Sequence, residues 1–197
     1  MVRDKTIQKT ERQKEVKRKI IGLVGHSGAG KDTVYKMISH IYYPFTVRFS
    51  FADMLRLDLT RIFKEDGEQE LIDAMWDMSP YRLPESRALL TAYADLLKAV
   101  LGKDVISNRA RRRLGMVPSC TAVVVTDVRF QPEVDMLRGL GASLVRVHRD
   151  KDPWTTLEAD KFVDSFDCDA IIDNNGSLAE LEGEVEKVVG DLLKELL

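Results

Sequence analysis

An apolar run, a glycine-rich stretch and an amphipathic segment follow one another without a break near the N-terminus, in "KIIGLVGHSGAGKDTVYKMI", residues 19 to 38. The opening run reads as a strand buried on both faces, the form strands take inside a parallel sheet. From Thr33 to Ile41 apolar residues recur at helical spacing. A buried strand running into a helix through Gly25, Gly28 and Gly30 leaves the connecting backbone able to wrap around an anion. Its N–H groups then point inward, and the helix N-terminus adds positive potential.

Gly25, Gly30 and Lys31 match the phosphate-binding loop, in which Gly, four residues, Gly and Lys precede Ser or Thr. Gly25, Ser27, Gly28, Ala29 and Gly30 are therefore expected to cradle phosphates by their backbone, and Lys31 to reach the terminal phosphates as a point charge. Two rival readings fail. "GHSGA" ends on Ala29 where a hydrolase elbow needs glycine, and Gly28 and Gly30 lack the third glycine of a dinucleotide fingerprint. The motif departs from its pattern at one position: Asp32 stands where the hydroxyl belongs, and Thr33 supplies that hydroxyl one residue later. Thr33 is expected to face a phosphate or a Mg²⁺-bound water, and Asp32 to join the metal's water shell or orient the acceptor. A helix-start aspartate favoured by the dipole is the simpler account of Asp32.

The rest of the chain alternates strands and helices. "FTVRFSFAD" reads as a second strand leading to Asp53, followed by helical sequence to about residue 117. Within that stretch Leu89, Leu90, Tyr93, Leu97 and Val100 share one face, Gly102 is a stop, and "DVISNRARRRLG" ends in a solvated cluster of arginines. "TAVVVTD" is the third strand. Pro132 opens a helix that Gly141 closes, "SLVRVHR" is the fourth strand and "DAIID" the fifth. Ser177 and Glu180 form a capping box for a last helix carrying Leu178, Leu181, Val185, Val188, Leu192 and Leu196. This order predicts an α/β fold of three layers, a five-stranded parallel sheet flanked by helices, with ligands at the C-terminal strand edge.

At 197 residues the chain suffices for one such domain, here 20–197, with a helical insertion over 54–117. Residues 1–19 form a basic extension of eight Lys or Arg against three Asp or Glu, the charge of an arm for nucleic acid or an anionic surface. It has no aromatics to stack bases, and a solvated extension before the first strand is the expected reading, with nucleic acid not an expected partner. No apolar run is long enough to span a bilayer. Cys120 and Cys168, with three scattered histidines, make neither a disulfide framework nor a zinc site, so a cytoplasmic setting is expected.

With these pieces placed, the chain resembles the deoxynucleoside monophosphate kinases of bacteriophages and their bacterial relatives. The resemblance rests on "GKDT" (Gly30–Thr33), "FAD" (Phe51–Asp53), "TDVRF" (Thr126–Phe130) followed by Pro132 and Glu133, and "NNGSLAEL" (Asn174–Leu181), in the family's order. Met54 replaces the proline usual after "FAD", and "LLTAYAD" replaces an "LLQ…GT" stretch. The resemblance implies a P-loop kinase fold, ATP and Mg²⁺, and γ-phosphoryl transfer to a small deoxynucleoside 5'-monophosphate in the cytoplasm, that of the host if phage-encoded. Whether the enzyme is a homodimer stays open. It further implies that Asp127 holds Mg²⁺ through water, that Arg129 and Arg87 grip the acceptor phosphate and that Asp53 orients the acceptor. A lid over 149–163 would carry Arg149, and adenine would rest on Asn174, Asn175 and Gly176. Phosphomevalonate, dephospho-coenzyme A or a shikimate-like alcohol is the alternative acceptor, and a nucleic-acid-associated NTPase the alternative class.

Overall fold

Each of the five strands pairs in parallel with its neighbours. They are β1 (Ile20–Val24), β2 (Thr46–Phe49), β3 (Ala122–Val128), β4 (Ser143–His148) and β5 (Ala170–Asp173), in the spatial order β2-β3-β1-β4-β5. The computed structural model describes residues 18–77, 84–119, 121–150 and 162–194. Helix α1 (Lys31–Ile41) and helix α7 (Leu178–Leu193) cover one face of the sheet. On the other face lie α2 (Phe51–Asp66), α3 (Gln69–Trp76), α4 (Pro84–Leu101), α5 (Val105–Gly115) and α6 (Gln131–Arg138). The sheet is thus sandwiched between two helical layers, the α/β architecture that the alternation of elements predicts.

Strand alternation divides the core between the two faces. Val123, Val125 and Val128 pack toward the α2 side, whereas Ala122 and Val124 pack toward α1 and α7. Val123, Val124 and Val125 are all inaccessible to solvent, which accounts for a strand of successive apolar residues rather than an alternating one. Near the C-terminal end of β3 the register slips: Gly22 faces Val125, but Val24 faces Val128, so three steps along β3 match two along β1. A bulge of this kind bends a strand and re-aims its side chains. Here the affected residues are Thr126 and Asp127.

The structure corrects several boundaries. The second strand ends at Phe49, and Ser50 caps α2 by accepting from the Asp53 backbone N–H at 3.2 Å, so Asp53 lies in the first turn of a helix and not at a strand end. Val100 is 70% exposed because the helix outruns the core it packs on before Gly102 ends it with φ 93°. The helix after β3 stops at Arg138, ahead of both Gly139 and Gly141. On α7 the deeply buried residues are Leu181, Val185, Val189 and Leu193, Val188 and Leu192 sit at the margin, and Leu178 is exposed; Leu196 lies outside the described residues. The arginine cluster is not uniformly solvated either. Arg109 pairs with Asp58, to which the Tyr93 hydroxyl also donates at 3.4 Å, joining α5, α2 and α4. The basic extension lies outside the described residues up to Arg18, whose guanidinium donates to the Val117 carbonyl. Among the described residues no helix is long and apolar enough to cross a membrane.

Candidate functional site

The glycine-rich loop joins β1 to α1 at the C-terminal edge of the sheet, at the strand from which connections lead to opposite sides (β1 lies between β3 and β4), the place where open α/β sheets bind ligands. A β-carbon on Gly25 would fall 2.6 Å from the Val147 carbonyl oxygen, so only glycine lets the loop leave β1 this close to β4. Gly30 has φ 95° and precedes α1 directly. Lys31 is only 8% exposed, and its ammonium donates to the carbonyls of Gly25 at 2.6 Å and His26 at 2.7 Å. The cation is therefore folded into its own loop. Thr33 is half-buried in the first turn of the helix.

Asp32 points away from Lys31's enclosure, with its side chain 64% exposed. Its ion-pair partner is Arg48 on β2, 3.6 Å away. The other arm of the same guanidinium donates to Asp53, and Asp53 also accepts from Arg56 one turn further along α2. Arg56 is buried, donates from Nε to the Met75 carbonyl at 2.9 Å, and stands 5.9 Å from the centre of the Trp76 ring. Trp76 in turn donates to the Thr60 hydroxyl at 2.9 Å, which makes it a brace between α3 and α2. Neither Arg48 nor Arg56 is singled out by sequence motif. Arg56 was legible from its i, i+3 spacing to Asp53; Arg48 was hinted at only by a charge inside an apolar strand.

Asp127 has contacts different from those expected of a metal carboxylate. Oδ1 accepts from the Phe51 backbone N–H at 2.9 Å, and Oδ2 accepts from the Ala52 N–H at 2.9 Å and the Ser50 hydroxyl at 2.8 Å. It thus closes the N-terminus of α2, satisfying donors a helix start leaves open. A carboxylate accepts at about four lone-pair sites, and three donors leave roughly one for anything else. The next turn is held by Glu133, which is 6% exposed and accepts from the backbone N–H groups of Arg129 at 2.8 Å and Phe130 at 3.1 Å. Burial, reinforced by the charge of Asp127, raises the Glu133 carboxyl from 4.5 to about 8, although the two N–H donors and Arg129 pull the other way. Two backbone N–H groups thus close this turn onto the Glu133 carboxyl.

Asn174 reaches across to the loop: Nδ2 donates to the Ala29 carbonyl at 2.8 Å, and its backbone N–H to His148 at 2.8 Å. Asn175 accepts from the Asp150 N–H at 2.7 Å and donates to Asp173. Both asparagines therefore fasten loops to one another, where a platform for adenine was expected, and Gly176 lies against Glu180, the capping-box residue of α7. Arg87 is half-buried in the first turns of α4, and Arg149 is exposed just past β4. Most of the expected lid, 151–161, lies outside the described residues. Just past it, Asp164 is 2.8 Å from His26 Nε2 and 3.3 Å from Arg146. That histidine contact was not foreseen.

The donor set fits Mg²⁺, a hard cation that takes few protein ligands and keeps phosphates and waters as the others. Asp32 and Thr33 at the start of α1 and the remaining site on Asp127 are all oxygens. Thr126, inside the β3 bulge beside Asp127, adds a buried hydroxyl with no hydrogen-bond partner among the described residues. No group of three or more His, Cys, Asp or Glu side chains among the described residues is placed to hold a metal by itself.

No model of a known protein family matches the chain. A protein of Acanthamoeba polyphaga mimivirus named "Putative deoxynucleotide monophosphate kinase" is 30% identical over 145 residues, 66% of this chain and 74% of that one. The chain belongs to the deoxynucleotide monophosphate kinase family. It is accordingly a P-loop kinase, a phosphotransferase. Among solved structures, a dephospho-CoA kinase from Campylobacter jejuni is 15% identical with a TM-score of 0.49, covering 88% of this chain and 97% of its own. The APS kinase of Mycobacterium tuberculosis is also 15% identical, with a TM-score of 0.47, covering 90% and 98%.

Proposed function

We propose that this kinase transfers the γ-phosphoryl group of ATP to a deoxynucleoside 5'-monophosphate, giving the diphosphate. The observation that carries the acceptor class is the state of the carboxylates at the mouth of the loop. An alcohol acceptor calls for a positioned carboxylate base. Asp53 holds two guanidinium groups, Asp127 holds three donors, and Asp32 is paired more loosely with Arg48. A phosphate acceptor is already anionic and needs no such base. What it needs is charge compensation and alignment, the terms that dominate phosphoryl transfer. The name borne by the mimivirus relative points the same way.

In this reading the backbone of Gly25–Gly30 wraps the donor's phosphates. Lys31 exchanges its loop carbonyls for phosphate oxygens and follows the γ-phosphoryl group as it moves. Asp32, Thr33 and the open site on Asp127 are the oxygens that would hold Mg²⁺, which would supply charge neutralisation at the donor's phosphates. Arg129, carried to the ligand edge by β3, and Arg87 on α4 grip the acceptor phosphate. Arg149 closes over the donor from the lid.

The test is an ADP-release screen over the ribo- and deoxynucleoside monophosphates, run beside phosphomevalonate and dephospho-coenzyme A. Turnover with one or more deoxynucleoside monophosphates is expected. Turnover with either of the other acceptors and none with any monophosphate overturns the assignment.

A further inference from the structure

The sequence poses a problem that the kinase reading leaves open. A carboxylate, Asp32, follows the phosphate-loop lysine directly, where it would repel the phosphates that the loop exists to hold. Arg48 answers it. Its guanidinium lies between Asp32 at 3.6 Å and Asp53, to which it is hydrogen-bonded, and it is itself only a quarter exposed. The two carboxylates belong to the first turns of different helices, α1 behind the phosphate loop and α2 at the start of the helical region, and β2 presents the arginine between them. Arg56 occupies the second oxygen of Asp53. The four charges, two of each sign, sum to zero, so Asp32 and Asp53 bring no net negative charge to the loop while Arg48 and Arg56 hold them.

We propose that Arg48 is a positioning residue for phosphoryl transfer. By neutralising Asp32 and tying it to Asp53, it makes an aspartate tolerable at the phosphate loop and fixes the donor side of the site relative to the acceptor side. Arg48 contacts both carboxylates and acts on the phosphates through them. The inference rests on the kinase reading for its purpose, but its electrostatic core concerns donor binding alone. A guanidinium is suited to the task because its planar fork addresses two carboxylates at once, which an ammonium cannot do with the same geometry.

The experiment measures the Kd of ATP in Mg²⁺-free buffer by calorimetric titration, with thermal midpoints, for the parent, Arg48→Gln, Asp32→Asn and the double variant, so that the place proposed for Asp32 at the metal does not enter. Arg48→Gln is expected to weaken ATP binding on the order of tenfold, because Asp32 is then uncompensated, and the loss is expected to shrink to about twofold or less in the Asp32→Asn background, the signature of coupled residues. A plain strap between β2 and α2 predicts instead a lower thermal midpoint with ATP affinity unchanged, or the same loss in both backgrounds. Either result overturns the proposal. Should Arg48→Gln fail to fold, Arg48→Lys keeps the charge. It is expected to bind ATP within about threefold of the parent while its kcat with the best acceptor falls roughly tenfold, since one ammonium cannot hold both carboxylates; an unchanged kcat overturns the proposal too. Failure of every monophosphate as acceptor would sink the assigned acceptor class yet leave the ATP titrations, and with them the role of Arg48, to be judged on their own.

Discussion

Asn174 Nδ2 lies 2.8 Å from the Ala29 carbonyl oxygen, and a β-carbon on Gly30 would fall 2.3 Å from that same nitrogen. The loop after β5 is therefore built into the wall of the phosphate loop, and the left-handed glycine is needed both for its backbone angle and for the space this amide occupies. A buttress and a base contact make different predictions. If Asn174 shapes the loop, Asn174→Ala should weaken ATP, GTP and tripolyphosphate by a similar factor, on the order of three- to tenfold for one lost hydrogen bond of about 1 kcal/mol. If it reads adenine, ATP alone should suffer. Parallel titrations with the three ligands decide, and a loss confined to ATP would return Asn174 to the adenine site.

That relationship marks where sequence reasoning stops. Elements whose signals are local were legible: the loop from its glycines and lysine, β3 from its valines, and the capping box from Ser177 and Glu180, whose carboxylate accepts from the Ser177 N–H at 2.7 Å. What was not legible depends on strand order. Asp127 reads from sequence as a free strand-end carboxylate, because the helix that uses it begins 76 residues earlier and is brought alongside only by β2 lying next to β3. Arg48 reads as an unremarkable strand residue for the same reason. The contacts that shape this site are between loops at one sheet edge, and no periodicity in a single segment encodes which loops meet.

Lys31 tests the kinase assignment most directly. Its ammonium sits inside the loop, bound to the Gly25 and His26 carbonyls, and exchanges these for phosphate oxygens in the proposed mechanism. Loss of one such electrostatic contact in a preorganised site commonly costs about 3 kcal/mol of transition-state stabilisation, a factor of roughly a hundred or more in rate. Lys31→Ala is expected to keep a cooperative thermal transition, slightly lowered by the loss of two hydrogen bonds to the loop carbonyls, and to lose turnover by at least that factor. Near-parental turnover would remove the phosphate loop from the mechanism.

The guanidinium of Arg129 is the group proposed to grip the acceptor phosphate, while its backbone N–H donates to Glu133 at the start of α6 at 2.8 Å. Arg129→Lys preserves that N–H and should leave the thermal midpoint within about a degree or two, as changes away from packing usually do. A guanidinium binds two phosphate oxygens at once and an ammonium does not. The variant should therefore raise the KM for the monophosphate and lower kcat while ATP affinity stays nearly constant. An unchanged acceptor KM would exclude Arg129 from the acceptor clamp.

Glu133 carries a pH dependence whose sign follows from its surroundings. In the unfolded chain its carboxyl titrates near 4.5, and in the folded protein near 8, because the site is buried and faces Asp127. Below 4.5 both states hold the proton, and the group's contribution to stability is fully present. Between 4.5 and 8 the folded state keeps a proton that the unfolded state has released, so stability falls as pH rises; above 8 both are ionised and the loss is complete. Glu133→Gln removes the titration while its amide oxygen can still accept from Arg129 and Phe130. Measured at about pH 5 and about pH 8.5, the thermal midpoint of the variant relative to the parent is expected to rise by several degrees between the two conditions, in the direction that linkage dictates. An offset that is the same at both pH values would mean that the folded protein holds Glu133 ionised throughout, stabilised by the two N–H donors that close the turn after β3 more strongly than burial opposes it.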